Sequence, residues 1–98
     1  MLFALICNDK PSSLQVRTDA RPDHLAFLQG LNAEKKLAFA GPFIDADGKA
    51  NGSLVVVEAP DMDAAKALAA ADPYAKAGLF ANVEIRQWNW GVNNPANG

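Results

Sequence analysis

Sulfur and imidazole are scarce in this chain: its 98 residues include one cysteine, Cys7, and one histidine, His24. A lone cysteine forms no internal disulfide and no cysteine-rich metal site, so a reducing cytoplasm is the expected setting. One histidine with one carboxylate gives too few ligands for a stable zinc site, and no metal or other cofactor is expected. Excess positive charge is also missing. The formal charge is -2 and the isoelectric point about 5.1, and the lysines and arginines are scattered, which leaves no basic field to attract nucleic acid. No apolar run reaches the roughly 18 residues of a membrane helix. The apolar opening lacks a basic flank and runs at once into Asn8, Asp9 and Lys10, so neither a signal peptide nor a membrane span is expected.

What is present is enough apolar residue to fold. Hydrophobic residues make up 50% of the chain and charged ones 20%, well away from the composition of disordered chains. Leu2 to Cys7 is a short continuous apolar run, the form of a strand buried on both faces. Pro22, tolerated at a first helical position, opens a helix through Leu25, Leu28 and Leu31 toward Lys35 and Lys36. Gly30 inside it costs about 1 kcal/mol relative to Ala, which suggests close packing against the sheet. Leu37 to Ile44 and Ser53 to Ala59 read as a hairpin around Asp45, Asp47, Gly48, Asn51 and Gly52, which is turn chemistry rather than a calcium loop. Pro42 donates no ladder hydrogen bond, so the strand carrying it belongs at an edge or bulge. Asp61 caps a second helix that Pro73 stops after Ala71, and a last strand covers Asn82 to Trp88.

The order strand, helix, strand, strand, helix, strand folds through right-handed crossovers into a ferredoxin-like α+β domain, βαββαβ. Its four-stranded antiparallel sheet carries both helices on one face. Residues 1–90 form the single domain and 91–98 a flexible C-terminal tail. Both faces of the first and third strands are apolar: Leu2, Ala4 and Ile6 alternate with Phe3, Leu5 and Cys7, and Leu54 and Val56 with Val55 and Val57. Helices cover one face only, so the other is expected to meet a second copy in a homodimer, with Trp88 and Trp90 over that interface.

His24 falls on the apolar stripe of the first helix, within about 100° of Leu25, Leu28 and Leu31. Near the start of a helix beginning at Pro22, the dipole favours the neutral ring, which can accept a proton. Ala65, Leu68, Ala69 and Asp72 share one face of the second helix, which turns the Asp72 carboxylate inward at the last turn and against the dipole, so it needs a partner. The first helix begins, and the second ends, at the sheet end where the first strand stops. His24 and Asp72 are therefore expected to be neighbours. Gly41, Pro42, Gly52 and Ser53 reach the same end, with Arg17, Arg21 and Tyr74 beside it. A carboxylate holding one ring nitrogen leaves the other free as a base, while an arginine can hold an anionic substrate. Ser53 reads as pocket lining rather than as a nucleophile, since no oxyanion hole is evident.

The series Arg21, His24, Leu25; Ala40, Gly41, Pro42; Gly52, Ser53; and Asp72, Pro73, Tyr74 resembles the YciI-like family over nearly the whole chain. Ala77, Gly78 and Trp88 extend the likeness. The resemblance implies a dimeric α+β barrel, a homodimer and a catalytic His/Asp pair, here His24 and Asp72. It also implies proton transfer on small cyclic metabolites. One branch is similar to enzymes that remove chloride from chlorinated hydroxyhydroquinones, and the wider superfamily contains muconolactone isomerases. The expected function is a cytoplasmic lyase or isomerase acting on a small cyclic or phenolic compound. Arg17, Arg21, Gly41, Pro42, Ser53 and Tyr74 would form its substrate pocket. The alternative is a non-catalytic ligand-binding or regulatory module using that pocket.

Overall fold

The computed structural model of the chain describes residues 1–96. Seven elements follow in order: β1 (Leu2–Asp9), α1 (Leu14–Ala33), β2 (Leu37–Ile44), β3 (Ala50–Glu58), α2 (Met62–Ala71), α3 (Pro73–Lys76) and β4 (Phe80–Trp88). The strands form one antiparallel sheet in the order β2-β3-β1-β4, which is the ferredoxin-like arrangement. β2 lies at an edge, where the missing amide donor of Pro42 does least harm. Asp45 closes the β2–β3 hairpin by accepting the amides of Asp47 and Lys49 at 2.9 and 3.0 Å, and Gly48 turns the chain at φ +80°.

Alternation on the central strands sorts the sheet into two faces. Phe3, Leu5, Cys7, Val55 and Val57 pack against Leu28 and Leu31 of α1 and Ala65 of α2, forming the core. Ala4, Leu54 and Val56 turn to the opposite, helix-free face. There the ring of Phe39 meets Trp88 and Trp90 edge-on, at 5.6 and 5.1 Å between centroids. Val56 is buried beneath this side of the sheet.

Three expectations need correction. α1 begins at Leu14, two turns before Pro22, which sits inside the helix. A proline there forgoes its amide bond to Thr18 and crowds the Thr18 carbonyl, a cost that the rest of the helix outweighs. The earlier turns are secured by Arg17, whose buried side chain grips Asp9 at the end of β1, a contact that helix-start signals do not carry. His24 therefore stands in the middle of α1 and not in its first turn, beyond the terminal turn where the dipole acts. Gly30 is exposed, and a Cβ built on it meets nothing within 4 Å, so sheet packing does not explain it. Asp72 is not in the last turn of α2. Preceding Pro73, it is driven to extended backbone at φ -62°, ψ 129°, where it closes α2 and caps α3 at once.

β3 and β4 each start earlier than expected, at Ala50 and Phe80. Of the expected tail, residues 91–96 form bends and turns, with the Ala96 amide donating to Asn94 at 3.0 Å; residues 97–98 lie outside the described residues.

Candidate functional site

His24 projects from α1 onto the segment joining α2 to α3. Its Nδ1 lies 2.8 and 3.1 Å from the two carboxylate oxygens of Asp72, and both residues are 6% exposed. Asp72 Oδ1 also accepts the Tyr74 amide at 2.9 Å. An ionised carboxylate only accepts hydrogen bonds, so Nδ1 carries the hydrogen of the neutral ring. Nε2 then holds the lone pair, and it makes no hydrogen bond to protein among the described residues.

Tyr74 holds the ring in plane. Its own ring stacks on the imidazole with centroids 3.8 Å apart and planes 14° from parallel, and the Arg17 guanidinium carbon lies 4.7 Å from its centroid. Burial pushes the Tyr74 phenol above its usual range, against the pull of Arg17 and Arg21. Cys7 lies in the core, and burial together with the Asp72 charge pushes its thiol up to about 12.

Arg17 is 6% exposed and fully engaged on one side. Its Nε and Nη2 donate to the two oxygens of Asp9 at 2.7 and 2.9 Å, and Nη2 also donates to Ser53 Oγ at 3.0 Å. Desolvation opposes the charge of the guanidinium, but Asp9 and, after it, Tyr74 outweigh that and raise its pKa. Ser53 is placed by the strand beside Gly52, where any Cβ would come within 2.6 Å of the Cys7 carbonyl oxygen and 3.0 Å of the Phe43 ring. Glycine is the residue that lets β3 lie this close to β1.

These groups surround a cavity of about 200 Å³ between α1 and the β2 edge of the sheet. His24, Arg17, Arg21, Ser53 and Tyr74 reach it from the helix and core side, and Gly41 and Pro42 wall it at the sheet edge. Asp72 does not line it; the carboxylate stands behind the imidazole. Leu25, Leu28 and Val55 make much of the remaining wall apolar. Asp9 was not legible as part of the site. The one signal for it is a carboxylate directly continuing a buried apolar strand, which requires a cation in reach.

A single ferredoxin-like sheet, with a buried histidine–carboxylate pair beside a small, largely apolar cavity, defines the chain as an α+β domain. Rv0793 from Mycobacterium tuberculosis shares this fold at a TM-score of 0.53 and 14% identity, covering 95% of this chain and all of that one (100%). The chain belongs to the YCII-related domain family, whose pattern matches residues 1–89. Protein YciI of Escherichia coli O6:H1 is 41% identical over 92 residues, which is 88% of this chain and 94% of that protein. Among solved structures, the 5-chloro-2-hydroxyhydroquinone dehydrochlorinase of Burkholderia phenoliruptrix AC1100, in complex with 2,5-dihydroxybenzoquinone, is similar at a TM-score of 0.83 and 38% identity. That match covers 91% of this chain and 94% of the other.

Proposed function

We propose that this protein is a cytoplasmic lyase or isomerase that moves a proton on a small cyclic or phenolic compound, with His24 as the acid–base group and Asp72 orienting it. The observation that carries this reading is the division of the imidazole: Nδ1 is held at 2.8 Å by a carboxylate outside the cavity, while Nε2 has no protein partner among the described residues. Nε2 accepts a proton from a substrate O–H or C–H, and the imidazolium is stabilised by the carboxylate behind it. The electron pair left on the substrate spreads onto its oxygens. Ser53 Oγ already accepts from Arg17, so its own hydrogen is available to such an oxygen, and Arg17 adds its positive charge at the same wall.

From that state the pair either expels a leaving group or is reprotonated at another atom by the imidazolium. In loss of HCl, the proton goes to His24 and chloride departs with the C–Cl bonding pair, so no electron carrier is needed. Gly41, Pro42 and Tyr74 shape the cavity around the ring. The apolar helix-free face supports a homodimer. The likeness to a dehydrochlorinase solved with a dihydroxybenzoquinone supports the choice of a phenolic ring.

Chloride release from 5-chloro-2-hydroxyhydroquinone, followed alongside the thermal shift produced by 2,5-dihydroxybenzoquinone, tests the proposal. Release by the native protein and its loss in His24→Ala are the expected results. A quinone that stabilises both proteins with no turnover in either would make the pocket a binding module instead.

A further inference from the structure

The cavity is bordered by two arginines of which one is already neutralised. Arg17 gives two donors to Asp9, with N–O distances of 2.7 and 2.9 Å, and the pair is buried and carries no net charge. Arg21 lies one helical turn further along α1, on the same face. It is exposed, lines the cavity, and forms no ion pair among the described residues. The carboxylate of Asp72 stands behind His24, away from the mouth. The field along the cavity therefore runs from an unpaired cation at the entrance to a buried anion behind the base. The walls between them, Leu25, Leu28 and Val55, are apolar.

We infer that Arg21 is a specificity-determining residue that selects substrates bearing one negative charge on a single-ring apolar body, oriented with the anionic group outward and the transferable hydrogen toward His24. The inference rests on the pocket assigned under the proposed function. The size agrees: a cavity of about 150 Å³ admits benzene, and this one is about 200 Å³. A second negative charge on the far side of the ring would face Asp72 without a free cation, so dianions are disfavoured. Burial raises the pKa of the neighbouring Tyr74 phenol, and the charges of Arg17 and then Arg21 act against that rise.

Benzoate and its neutral isostere benzamide are suitable probes, titrated into the native protein, Arg21→Gln and Arg21→Lys while the resonances of the single imidazole are followed. Because Arg21 is an exposed helical residue, both variants should fold. The expected result is a preference for benzoate of about tenfold in the native protein, lost in Arg21→Gln and largely restored in Arg21→Lys. Equal affinity for the two probes, with both moving the His24 signals, would overturn the role of Arg21 and leave the pocket standing. A benzoate preference that survives in Arg21→Gln would do the same. Benzoate binding that leaves the His24 signals unmoved would place the anion elsewhere and overturn both readings.

Discussion

His24 and Asp72 meet across two helices with Nδ1 2.8 Å from a carboxylate oxygen, yet only His24 reaches the cavity. The carboxylate can thus orient the base and balance its charge without touching a ligand. Asp72→Asn is expected to lower turnover by about 10²- to 10⁴-fold, the usual scale of an acid–base contribution, while ligand affinity changes little. Steady-state kinetics with a parallel binding titration will separate the two effects.

The Arg17–Asp9 pair secures the first turns of α1, with both side chains less than a tenth exposed. Asp9→Asn leaves a buried guanidinium without its counter-charge and is expected to cost about 3 kcal/mol. Urea unfolding monitored by tryptophan fluorescence gives the value. A loss below about 0.5 kcal/mol would mean that water reaches Arg17 freely.

Alkaline pH offers a test of the core. The folded protein holds the Cys7 proton to about 12, whereas the unfolded thiol releases it near 9.0. Unfolding is therefore increasingly favoured above pH 9: stability from this group is intact below that pH and is lost as pH rises toward 12. The Tyr74 phenol, also raised, acts in the same direction. Melting temperatures across pH 8 to 11, compared with Cys7→Ala, should show a smaller alkaline decline in the variant.

One substitution within α1 and one just past its C-cap bear on the stability of the fold. Gly30 is helical with open space at its Cβ position, so Gly30→Ala should add about 0.5–1 kcal/mol. Lys35 ends the helix at φ +60°, with the next amide, Lys36, bonded back to Leu31 at 2.8 Å. That conformation suits glycine, and Lys35→Gly should be neutral to stabilising by up to about 1 kcal/mol. Chemical denaturation of each variant checks the signs.

The order of elements was legible because their punctuation is chemical. Asp61 caps α2 by accepting the Ala64 amide at 2.8 Å, Pro73 ends it, and the two-sided apolar pattern of Leu2 to Cys7 marks a central strand. The approach of His24 to Asp72 followed from topology alone, since both elements return to one end of the sheet. What escaped was tertiary. Pro22 carries a strong helix-start signal, but the chain is already helical from Leu14 because Arg17 finds Asp9 eight residues before it. A glycine inside a helix suggests close packing by its residue type, but the surroundings of Gly30 are open. The new role of Asp72 as a cap for α3 arises from the backbone that Pro73 imposes, which no face of a helical wheel displays.

The helix-free face of the sheet, with Leu54, Phe39 and Trp88 on it, is expected to join two copies. Sedimentation equilibrium should return twice the 10.4 kDa chain mass, and Leu54→Lys should shift the mass toward the monomer. A native monomer at micromolar concentration would remove the dimer from the account.

The role of His24 as a base turns on which of its two ring nitrogens is free. Long-range proton–nitrogen NMR on the one imidazole of the untagged chain reads this directly, with no second histidine to overlap it. The expected spectrum of the neutral ring shows hydrogen on Nδ1, facing Asp72, and an unprotonated Nε2 whose signal moves when 2,5-dihydroxybenzoquinone is added. Hydrogen on Nε2 in the neutral ring, unchanged in Asp72→Asn and indifferent to the quinone, would contradict the assignment of His24 as the base.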